Sequence, residues 1–416
     1  MNPSNINYTN INSFTELGVN SFFLDKLKER SISKPTAIQS LVIPRLLSGG
    51  KLVFRSATGT GKTFAYLLPA LQQLAEGEGG SGGSAPAILI CAPTLELCSQ
   101  IKAEVDFLTT GFPKPAPSAL LIGSVKIEKQ IENLKRTKPV IVIGNPGRLL
   151  VLAKMGKLKF FGLRFLILDE ADRLTAQECL DDTNGLLSLI ERGVSRRTEN
   201  ADLCLTACSA TVGEKTRAKL GALFETAEIL ESADHEILRD RIEHWAIFSE
   251  KRRKVQTLRS LLSALKAKKS RVKALVFTSR GDEAGLLLSR LQYHHISAAG
   301  LFGKTGKKQV GSAERKTALD SFREGRVDVL ISTDLAARGL DIPGITHVIA
   351  LDVPADTDVY IHRCGRTGRA GKRGIMVTIG DETQMRLLSS LEKKLKIRVQ
   401  PKELYNGQVC VPPQDE

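Results

Sequence analysis

Short apolar, β-branched runs alternate along the whole chain with longer stretches of helical hydrophobic periodicity. This alternation is typical of a parallel sheet that is covered by helices. The predicted strands of the first half are 52–54, 87–91, 140–143, 165–168 and 203–207. Those of the second half are 245–248, 274–277, 327–331, 347–351 and 374–379. The sequence therefore predicts an α/β protein in which one architecture occurs twice.

A polar segment, 231–239, lies between the two series of strands, and we predict that it is a flexible interdomain linker. The chain has 416 residues, which exceeds one ordinary core and fits two domains of about 200 residues each. We predict a first domain over 1–230 and a second over 240–416. A stretch at 77–84, which reads GEGGSGGS, is predicted to be a flexible coil between a helix and the next strand.

The chain carries a net charge of +15, from 60 lysines and arginines against 45 acidic residues. This excess favours a polyanionic partner such as nucleic acid or an anionic membrane surface, although a basic protein that binds neither is an alternative. The 42% of hydrophobic residues excludes a chain that is disordered throughout. No apolar run approaches the roughly 18 residues that span a bilayer, so we expect no membrane association.

The cysteines are seven in number and include no C-x-x-C pair, and several lie in apolar strand-like runs. We therefore predict buried thiols in a reducing compartment. Residues 1–10 are polar and lack the apolar or Arg-rich patterns of targeting peptides. We expect a cytoplasmic protein, and an organellar location after loss of a presequence stays an alternative.

The first candidate site follows the predicted strand 52–54 and precedes an apolar helical stretch. Its residues are Ala57, Thr58, Gly59, Thr60, Gly61, Lys62 and Thr63. A strand, a glycine-rich loop and a helix in this order form a phosphate cradle, in which backbone N–H groups face the β-phosphate. Lys62 would neutralise β- and γ-phosphate oxygens, and the Thr63 hydroxyl would bind Mg²⁺. The alternative is a glycine-rich turn with an exposed lysine.

The second candidate site begins where the apolar strand 165–168 ends, at Asp169 and Glu170. Carboxylates at the carboxyl end of a central strand face the crevice in which α/β sheets bind ligands. Asp169 would hold Mg²⁺ through water, and Glu170 would orient and deprotonate the attacking water. A solvated acidic helix start is the alternative, and the phosphate loop upstream favours the nucleotide site.

Three motifs together carry a resemblance to a known family. They are Asp-Glu-Ala-Asp at 169–172, Ser-Ala-Thr at 209–211 and HRCGRTGR at 362–369. In this order they resemble the DEAD-box RNA helicase family, over nearly the whole chain. The resemblance implies two RecA-like domains, each a mainly parallel sheet flanked by helices. It also implies RNA-stimulated ATP hydrolysis coupled to local opening of RNA duplexes. Four residues would couple the domains: Asp172, Ser209, Thr211 and His362.

The segment KPTAIQ at 34–39, with Phe14 located 25 positions before Gln39, resembles the Q motif of the same family. The Gln39 amide offers one donor and one acceptor, which suits the N6/N7 edge of adenine and would select ATP over GTP. Lys34 and Phe14 are expected to support the adenine pocket, and an ordinary core aromatic is the alternative for Phe14. Ile32 replaces the family's usual aromatic, which predicts weaker adenine stacking.

The second half carries the remaining nucleotide contacts that the resemblance implies. The segment STDLAARGLD at 332–341 resembles motif V, in which Asp341 would contact the ribose. Arg366 and Arg369 have the family's spacing for γ-phosphate contacts, where a guanidinium stabilises transition-state charge. A basic loop that binds phosphate backbone is the alternative. Because the phosphate loop and these arginines belong to different domains, hydrolysis is predicted to require domain closure, which RNA would favour.

The expected RNA contacts are Thr94, Gly123, Arg148, Arg280 and Thr333. The family pattern is altered around them by Leu95 for arginine, Ser124 for glycine and Asn145 for threonine. The loss of one guanidinium predicts that the slope of log K for RNA binding against log salt concentration is smaller by roughly one unit. We expect a monomer that uses ATP and Mg²⁺ and binds RNA without base preference. An ATP-gated RNA clamp with weak unwinding and a P-loop ATPase unrelated to nucleic acid are the alternatives.

Overall fold

The computed structural model describes residues 13–55, 60–77, 85–195, 203–209, 213–231, 241–267, 272–302, 304–305, 308–309, 312–337, 342, 344–368 and 372–413. The chain divides into two compact units, Met1–Ala233 and Asp234–Glu416. Residues 232–239 of the predicted linker lie outside the described residues, and so do 78–84 of the glycine-rich stretch. The predicted domain bounds and both flexible segments therefore stay predictions.

The described residues of the first unit form a sheet of seven parallel strands in the order β3-β4-β2-β5-β6-β1-β7. The strands are β1 (Lys51–Arg55), β2 (Ile88–Cys91), β3 (Ser118–Leu121), β4 (Ile141–Gly144), β5 (Phe165–Leu168), β6 (Cys204–Ser209) and β7 (Glu228–Glu231). Strands β2, β4, β5 and β6 are buried at every position, because helices cover both faces. This burial explains why their sequences are continuous apolar runs.

The helices of the first unit pack on both faces of this sheet. They are α1 (Ser21–Glu29), α2 (Ala37–Leu47), α3 (Lys62–Glu76), α4 (Leu95–Thr109), α5 (Ile127–Thr137), α6 (Pro146–Lys154), α7 (Ala171–Leu174), α8 (Leu180–Val194) and α9 (Gly213–Leu220). A 3₁₀ turn, Ala222–Phe224, precedes β7. Alternate residues of each strand enter opposite cores, as with Ile167 on one face and Leu166 on the other.

The described residues of the second unit form a sheet in the order β10-β13-β9-β14-β15-β8-β16-β17, in which β16 and β17 are antiparallel. Its strands are β8 (Ile242–Phe248), β9 (Ala274–Phe277), β10 (Ala298–Leu301), β13 (Val329–Ser332), β14 (His347–Ala350), β15 (Gly374–Gly380), β16 (Val399–Tyr405) and β17 (Gln408–Cys410). A separate ribbon pairs β11 (Lys304–Thr305) with β12 (Lys308–Gln309). The helices are α10 (Lys254–Ala267), α11 (Gly281–Tyr293), α12 (Ser312–Arg323), α13 (Asp334–Ala337), α14 (Thr357–Cys364) and α15 (Glu382–Leu395).

The two sheets have the same strand order when the strands of each unit are numbered from its own start, with the ribbon left out and β17 added at one edge. The prediction of one α/β architecture occurring twice is therefore confirmed. All ten strands predicted from the sequence are present, with small shifts at their ends. The sequence did not predict the remaining strands, which are β3, β7, β10, β11, β12, β16 and β17.

The cysteines all lie in the described part of the chain and are free thiols, and five of them are buried. This arrangement confirms the prediction of buried thiols for those five: Cys91, Cys98, Cys204, Cys208 and Cys364. Among the described residues, none of the helices is both long and apolar enough to cross a lipid bilayer.

Candidate functional site

The phosphate loop connects β1 to α3, as the sequence predicts. Part of it lies outside the described residues, including three expected phosphate contacts: Ala57, Thr58 and Gly59. Gly61 caps α3 with a φ of +88°, a conformation that favours glycine, and a Cβ at this position would lie 2.5 Å from Gln39 Nε2 and displace that amide. Thr60 is buried, while Lys62 and Thr63 form the start of α3. The N-terminus of this helix and the lysine together favour an anion.

Gln39 connects the start of α2 to the phosphate loop. Its Oε1 accepts a hydrogen bond from the backbone N–H of Thr36 at 2.9 Å, as part of a capping box. Its Nε2 donates to the carbonyl oxygen of Gly61 at 3.0 Å. Phe14 is buried in the core on one face of the sheet, and Lys34 is exposed. Recognition of adenine by these residues stays a prediction.

Asp169 is buried at the carboxyl end of β5, with 4% of its surface exposed. Among the described residues it accepts three hydrogen bonds. The Tyr66 hydroxyl donates to Oδ2 at 2.8 Å, the Cys208 thiol donates to Oδ1 at 2.8 Å, and the backbone N–H of Glu170 donates to Oδ1 at 2.9 Å. Because Tyr66 belongs to α3, the first of these bonds joins the phosphate-loop helix to the acidic strand end.

Both side-chain donors to Asp169 are protonated at neutral pH. Burial raises the pKa of Tyr66 and of Cys208 well above its ordinary value, and the adjacent Asp169 charge raises each further. The sequence prediction missed these two residues because an aromatic and a cysteine in apolar runs are typical of a core. Strands β5 and β6 are parallel neighbours, and this pairing brings the end of β5 close to Cys208.

Glu170 adopts a left-handed backbone conformation, with a φ of +50°, and is almost fully buried. A residue other than glycine in this region carries strain of about 1 to 3 kcal/mol, and such strain is concentrated at functional sites. Asp172 lies in α7, where its Oδ1 accepts a hydrogen bond from the backbone N–H of Arg173 at 3.1 Å. Ser209 is fully buried at the end of β6, and Thr211 lies outside the described residues. The coupling role of these residues stays a prediction.

The candidate metal ligands, Thr63 and Asp169, both lie close to Tyr66. Thr63 lies one turn before Tyr66 on α3, and Asp169 accepts a hydrogen bond from the Tyr66 hydroxyl at 2.8 Å. A hydroxyl and a carboxylate are the hard oxygen ligands that Mg²⁺ prefers, so these residues fit a nucleotide-bound magnesium ion. No group of three or more histidine, cysteine, aspartate or glutamate side chains in the described chain is arranged to hold a metal.

The three predicted RNA contacts of the first unit lie at one end of its sheet. Thr94, Gly123 and Arg148 follow β2, β3 and β4, which are parallel neighbours. Thr94 caps α4, where its Oγ1 accepts from the backbone N–H of Leu97 at 3.2 Å. Gly123 is exposed, and a Cβ there would meet nothing within 4 Å among the described residues. Because these strands run parallel, their carboxyl ends place the three residues at the same end of the sheet.

Arg148 is bound to the loop that follows β3. Its Nη1 donates to the carbonyl oxygen of Val125 at 2.9 Å and to Gln130 Oε1 at 3.1 Å. Its Nη2 donates to the carbonyl oxygen of Gly123 at 3.1 Å. Leu95 is half-buried and packs against the apolar core. The guanidinium of Arg148 thus shapes the loop, and Leu95 adds no charge to this end of the sheet.

The two predicted RNA contacts of the second unit follow neighbouring parallel strands. Arg280 is exposed at the start of α11 after β9, and Thr333 follows the neighbouring strand β13. Arg366 is 4% exposed, and its Nε donates to the carbonyl oxygen of His362 at 3.3 Å. His362 is buried in α14. The two remaining predicted contacts lie outside the described residues: Asp341 and Arg369.

Arg363 is a further residue of this region that the sequence prediction missed. Its guanidinium is fully buried and donates to both carboxylate oxygens of Asp334, at 2.7 and 2.8 Å, and to Asp352 Oδ2 at 3.2 Å. Burial lowers the pKa of Arg363, but the bonds to Asp334 and Asp352 outweigh this effect and raise the pKa overall. The only sequence signal for Arg363 was its place in an arginine-rich motif, three residues before Arg366. A buried arginine must be paired, and the sequence does not show which carboxylates pair with it.

Comparison with known protein families gives two matches. Residues 36–220 match the model for the DEAD/DEAH box helicase family, and residues 253–371 match the model for the helicase conserved C-terminal domain. Each match falls within one of the two units.

Two curated bacterial proteins are similar to the chain over most of its length. The DEAD-box ATP-dependent RNA helicase CshC of Bacillus cereus is 32% identical over 386 residues, which cover 92% of each chain. The probable ATP-dependent RNA helicase YfmL of Bacillus subtilis is 32% identical over 379 residues, which cover 91% of this chain and 93% of YfmL.

Two solved structures of other proteins are also similar to the chain over most of its length. S. cerevisiae Dbp5 bound to RNA and ADP BeF3 has a TM-score of 0.79 and 27% identity, and the alignment covers 94% of this chain and 96% of Dbp5. Mss116p bound to ssRNA and AMP-PNP has a TM-score of 0.82 and 26% identity, over 94% of this chain and 78% of Mss116p. The predicted pair of RecA-like domains agrees with these neighbours.

Proposed function

We propose, from the premise that this chain belongs to the DEAD-box family of ATP-dependent RNA helicases, that it hydrolyses ATP in response to RNA and thereby opens short RNA duplexes. One observation carries the proposal. The 2.8 Å hydrogen bond from Tyr66 to Asp169 joins the helix of the phosphate loop to the acidic end of β5. This contact supports a single nucleotide site that two motifs distant in the sequence build together.

In this proposal the first unit binds and orients ATP. Backbone N–H groups at the start of α3 face the phosphates, and Lys62 neutralises the β- and γ-phosphate oxygens. Glu170, held by its buried and left-handed backbone, orients the attacking water and accepts its proton. Gln39 recognises adenine through its amide.

Thr63 and Asp169 are the residues that hold the magnesium ion, the latter through water. Bound Mg²⁺ neutralises the charge that develops on the transferred phosphoryl group. Asp169 contributes a carboxylate that is already fixed in orientation by its hydrogen bonds, so no reorganisation is needed when the nucleotide binds.

The second unit supplies the arginines that complete the site. Arg366 and Arg369 contact the γ-phosphate when the units close, and a guanidinium in this role contributes about 10³- to 10⁵-fold to the rate in other NTPases. Asp172, Ser209, Thr211 and His362 couple the units in the closed state. RNA that contacts both units favours closure, so ATP and RNA each strengthen the binding of the other.

RNA binds through its phosphates, at the carboxyl ends of strands in each unit, and without base preference. The net charge of +15 supports an electrostatic contribution of this kind. Phosphates are common to RNA and DNA, so the preference for RNA rests on family membership and on the RNA bound to the structural neighbours.

The decisive measurement is the ATPase rate of the purified protein with and without single-stranded RNA, with DNA of equal length as the control. We expect RNA to increase the rate and DNA to have a much smaller effect. An ATPase rate that RNA leaves unchanged would instead support a P-loop ATPase unrelated to nucleic acid.

A second candidate function is an ATP-gated RNA clamp that unwinds weakly. It is favoured by two contacts at the end of the first sheet that carries the proposed RNA contacts. Leu95 packs on the core there, and the Arg148 guanidinium is bound to loop carbonyls. A strand-displacement assay on short duplexes, run beside the ATPase assay, separates the two. RNA-stimulated hydrolysis without displacement would favour the clamp.

A further inference from the structure

Two buried side chains that no motif contains converge on the carboxylate of Asp169. Tyr66 comes from α3, one turn after Thr63, and Cys208 comes from β6. Both are fully buried. Their bonds go to different carboxylate oxygens, Tyr66 to Oδ2 and Cys208 to Oδ1, so together they fix the rotation of the carboxylate about its Cβ–Cγ bond.

Tyr66 also lies on α3 one turn after Thr63, the other residue that holds the magnesium ion in the proposed function. The bond from Tyr66 to Asp169 therefore connects the helix that carries Thr63 to the carboxylate.

We propose that Tyr66 and Cys208 are positioning residues that hold the Asp169 carboxylate in the orientation that binds the magnesium ion of the nucleotide. The inference rests on the proposed function. Groups that orient metal ligands change metal affinity without touching the metal, typically by about 10- to 100-fold.

The chemistry of these two donors suits that role. Both are neutral groups, so they orient the carboxylate without cancelling the negative charge that attracts a cation. A lysine or arginine in their place would neutralise the charge of Asp169 and compete with Mg²⁺. The Asp169 carboxylate is buried, and without these donors it would gain rotational freedom.

The test measures the Mg²⁺ dependence of nucleotide binding, with a fluorescent ATP analogue as the probe. Tyr66→Phe removes one oxygen and keeps the ring. We expect the Mg²⁺ concentration at half-maximal binding to rise by about 10- to 100-fold. Binding of the same analogue in excess EDTA should stay within about twofold of wild type, because the phosphate loop is unchanged.

Cys208 provides an independent pair of variants. Cys208→Ala should raise the Mg²⁺ requirement in the same direction, and Cys208→Ser, which restores a hydroxyl donor, should return it toward wild type. If Tyr66→Phe does not fold, the comparison of Cys208→Ala with Cys208→Ser tests by itself whether these donors position Asp169.

Two matched controls separate positioning from a general loss of packing. Cys204 lies on the same strand and face as Cys208, is also buried, and donates to the carbonyl oxygen of Gly50 at 3.2 Å. Tyr360 is a buried tyrosine of the second unit that is hydrogen-bonded to His244. Cys204→Ala and Tyr360→Phe should leave the Mg²⁺ dependence unchanged.

The outcomes are distinct. An unchanged Mg²⁺ requirement in folded Tyr66→Phe and in Cys208→Ala would overturn the inference, and so would equal shifts in the two controls. A wild-type protein that binds no nucleotide at any Mg²⁺ concentration would refute the proposed function instead.

Discussion

Arg363 donates to both carboxylate oxygens of Asp334, from Nε at 2.7 Å and from Nη2 at 2.8 Å. Asp334 directly follows Thr333, a proposed RNA contact, and Arg363 lies three residues before Arg366, a proposed γ-phosphate contact. A bidentate pair of this kind restricts both partners to one geometry. It therefore fixes the proposed RNA-binding segment and the proposed nucleotide-binding segment of the second unit relative to each other.

Removal of the Arg363 guanidinium should strongly destabilise the second unit. Arg363→Met leaves Asp334 and Asp352 without their cation, and breaking a buried ion pair from one side costs about 3 to 5 kcal/mol. The measurement is denaturant unfolding followed by the fluorescence of Trp245, which is the chain's one tryptophan and lies in β8.

The matched control for this variant is Arg386→Met. Arg386 also pairs with a carboxylate, Glu382, but both side chains are exposed. An exposed pair contributes little, so the unfolding midpoint should barely move. Equal effects of the two substitutions would show that the buried pair has no special role.

Glu170→Gln should abolish ATP turnover and preserve ATP binding. The amide keeps the size and hydrogen-bonding reach of the side chain but cannot accept a proton from water, and general-base catalysis typically contributes about 10²- to 10⁴-fold. Steady-state ATPase rates and equilibrium binding of a fluorescent ATP analogue are the two measurements. The control is Glu178→Gln, an exposed glutamate nearby. RNA-stimulated hydrolysis at the wild-type rate in Glu170→Gln would contradict the role of Glu170.

Leu95→Arg should strengthen RNA binding. Leu95 begins α4 next to Thr94, a proposed RNA contact, and an arginine at this position would add one phosphate contact. The slope of log K against log salt should steepen by about one unit, measured by titration of single-stranded RNA at several salt concentrations. Ser99→Arg adds the same charge at an exposed site one turn along α4 and serves as the control. Identical slopes for the two variants would exclude a specific contact.

Seven of the ten strands that the sequence predicted are buried at every position. Strand β5 is apolar at every position because both core clusters contact it, so its sequence alone indicates a strand. Strand β3 lies at the sheet edge and alternates between buried and half-buried residues, and β10 is rich in small residues. Such patterns do not differ from those of loops, and these strands form because a neighbouring strand offers them backbone hydrogen bonds.

The residues of the candidate site also form two groups, those that the sequence predicted and those that it missed. Lys62, Asp169 and Glu170 were predicted because chemistry requires those residue types at fixed positions after strands. Tyr66 and Cys208 were not, because their roles arise from tertiary contact and their types are ordinary in a core. Arg148 shows a different limit, since the sequence indicates a cation but not that loop carbonyls bind its guanidinium.

The second unit should lose stability as the pH falls through the range in which His347 titrates. Burial lowers the pKa of His347 from 6.5 to about 4. Between these values the unfolded chain binds a proton that the folded chain does not, so the free energy of unfolding decreases as the pH falls and is unaffected above the upper value. The loss from this residue reaches about 3 kcal/mol. Denaturant unfolding monitored at Trp245, at pH 7 and at pH 4, measures it.

His347→Gln should remove this part of the pH dependence, because glutamine does not titrate. His294→Gln, at an exposed histidine, should retain it. The quantity to compare is the difference in unfolding free energy between the two pH values, since acidic residues elsewhere contribute equally to all three proteins. A pH dependence that is the same in His347→Gln and in wild type would show that His347 can be protonated in the folded protein.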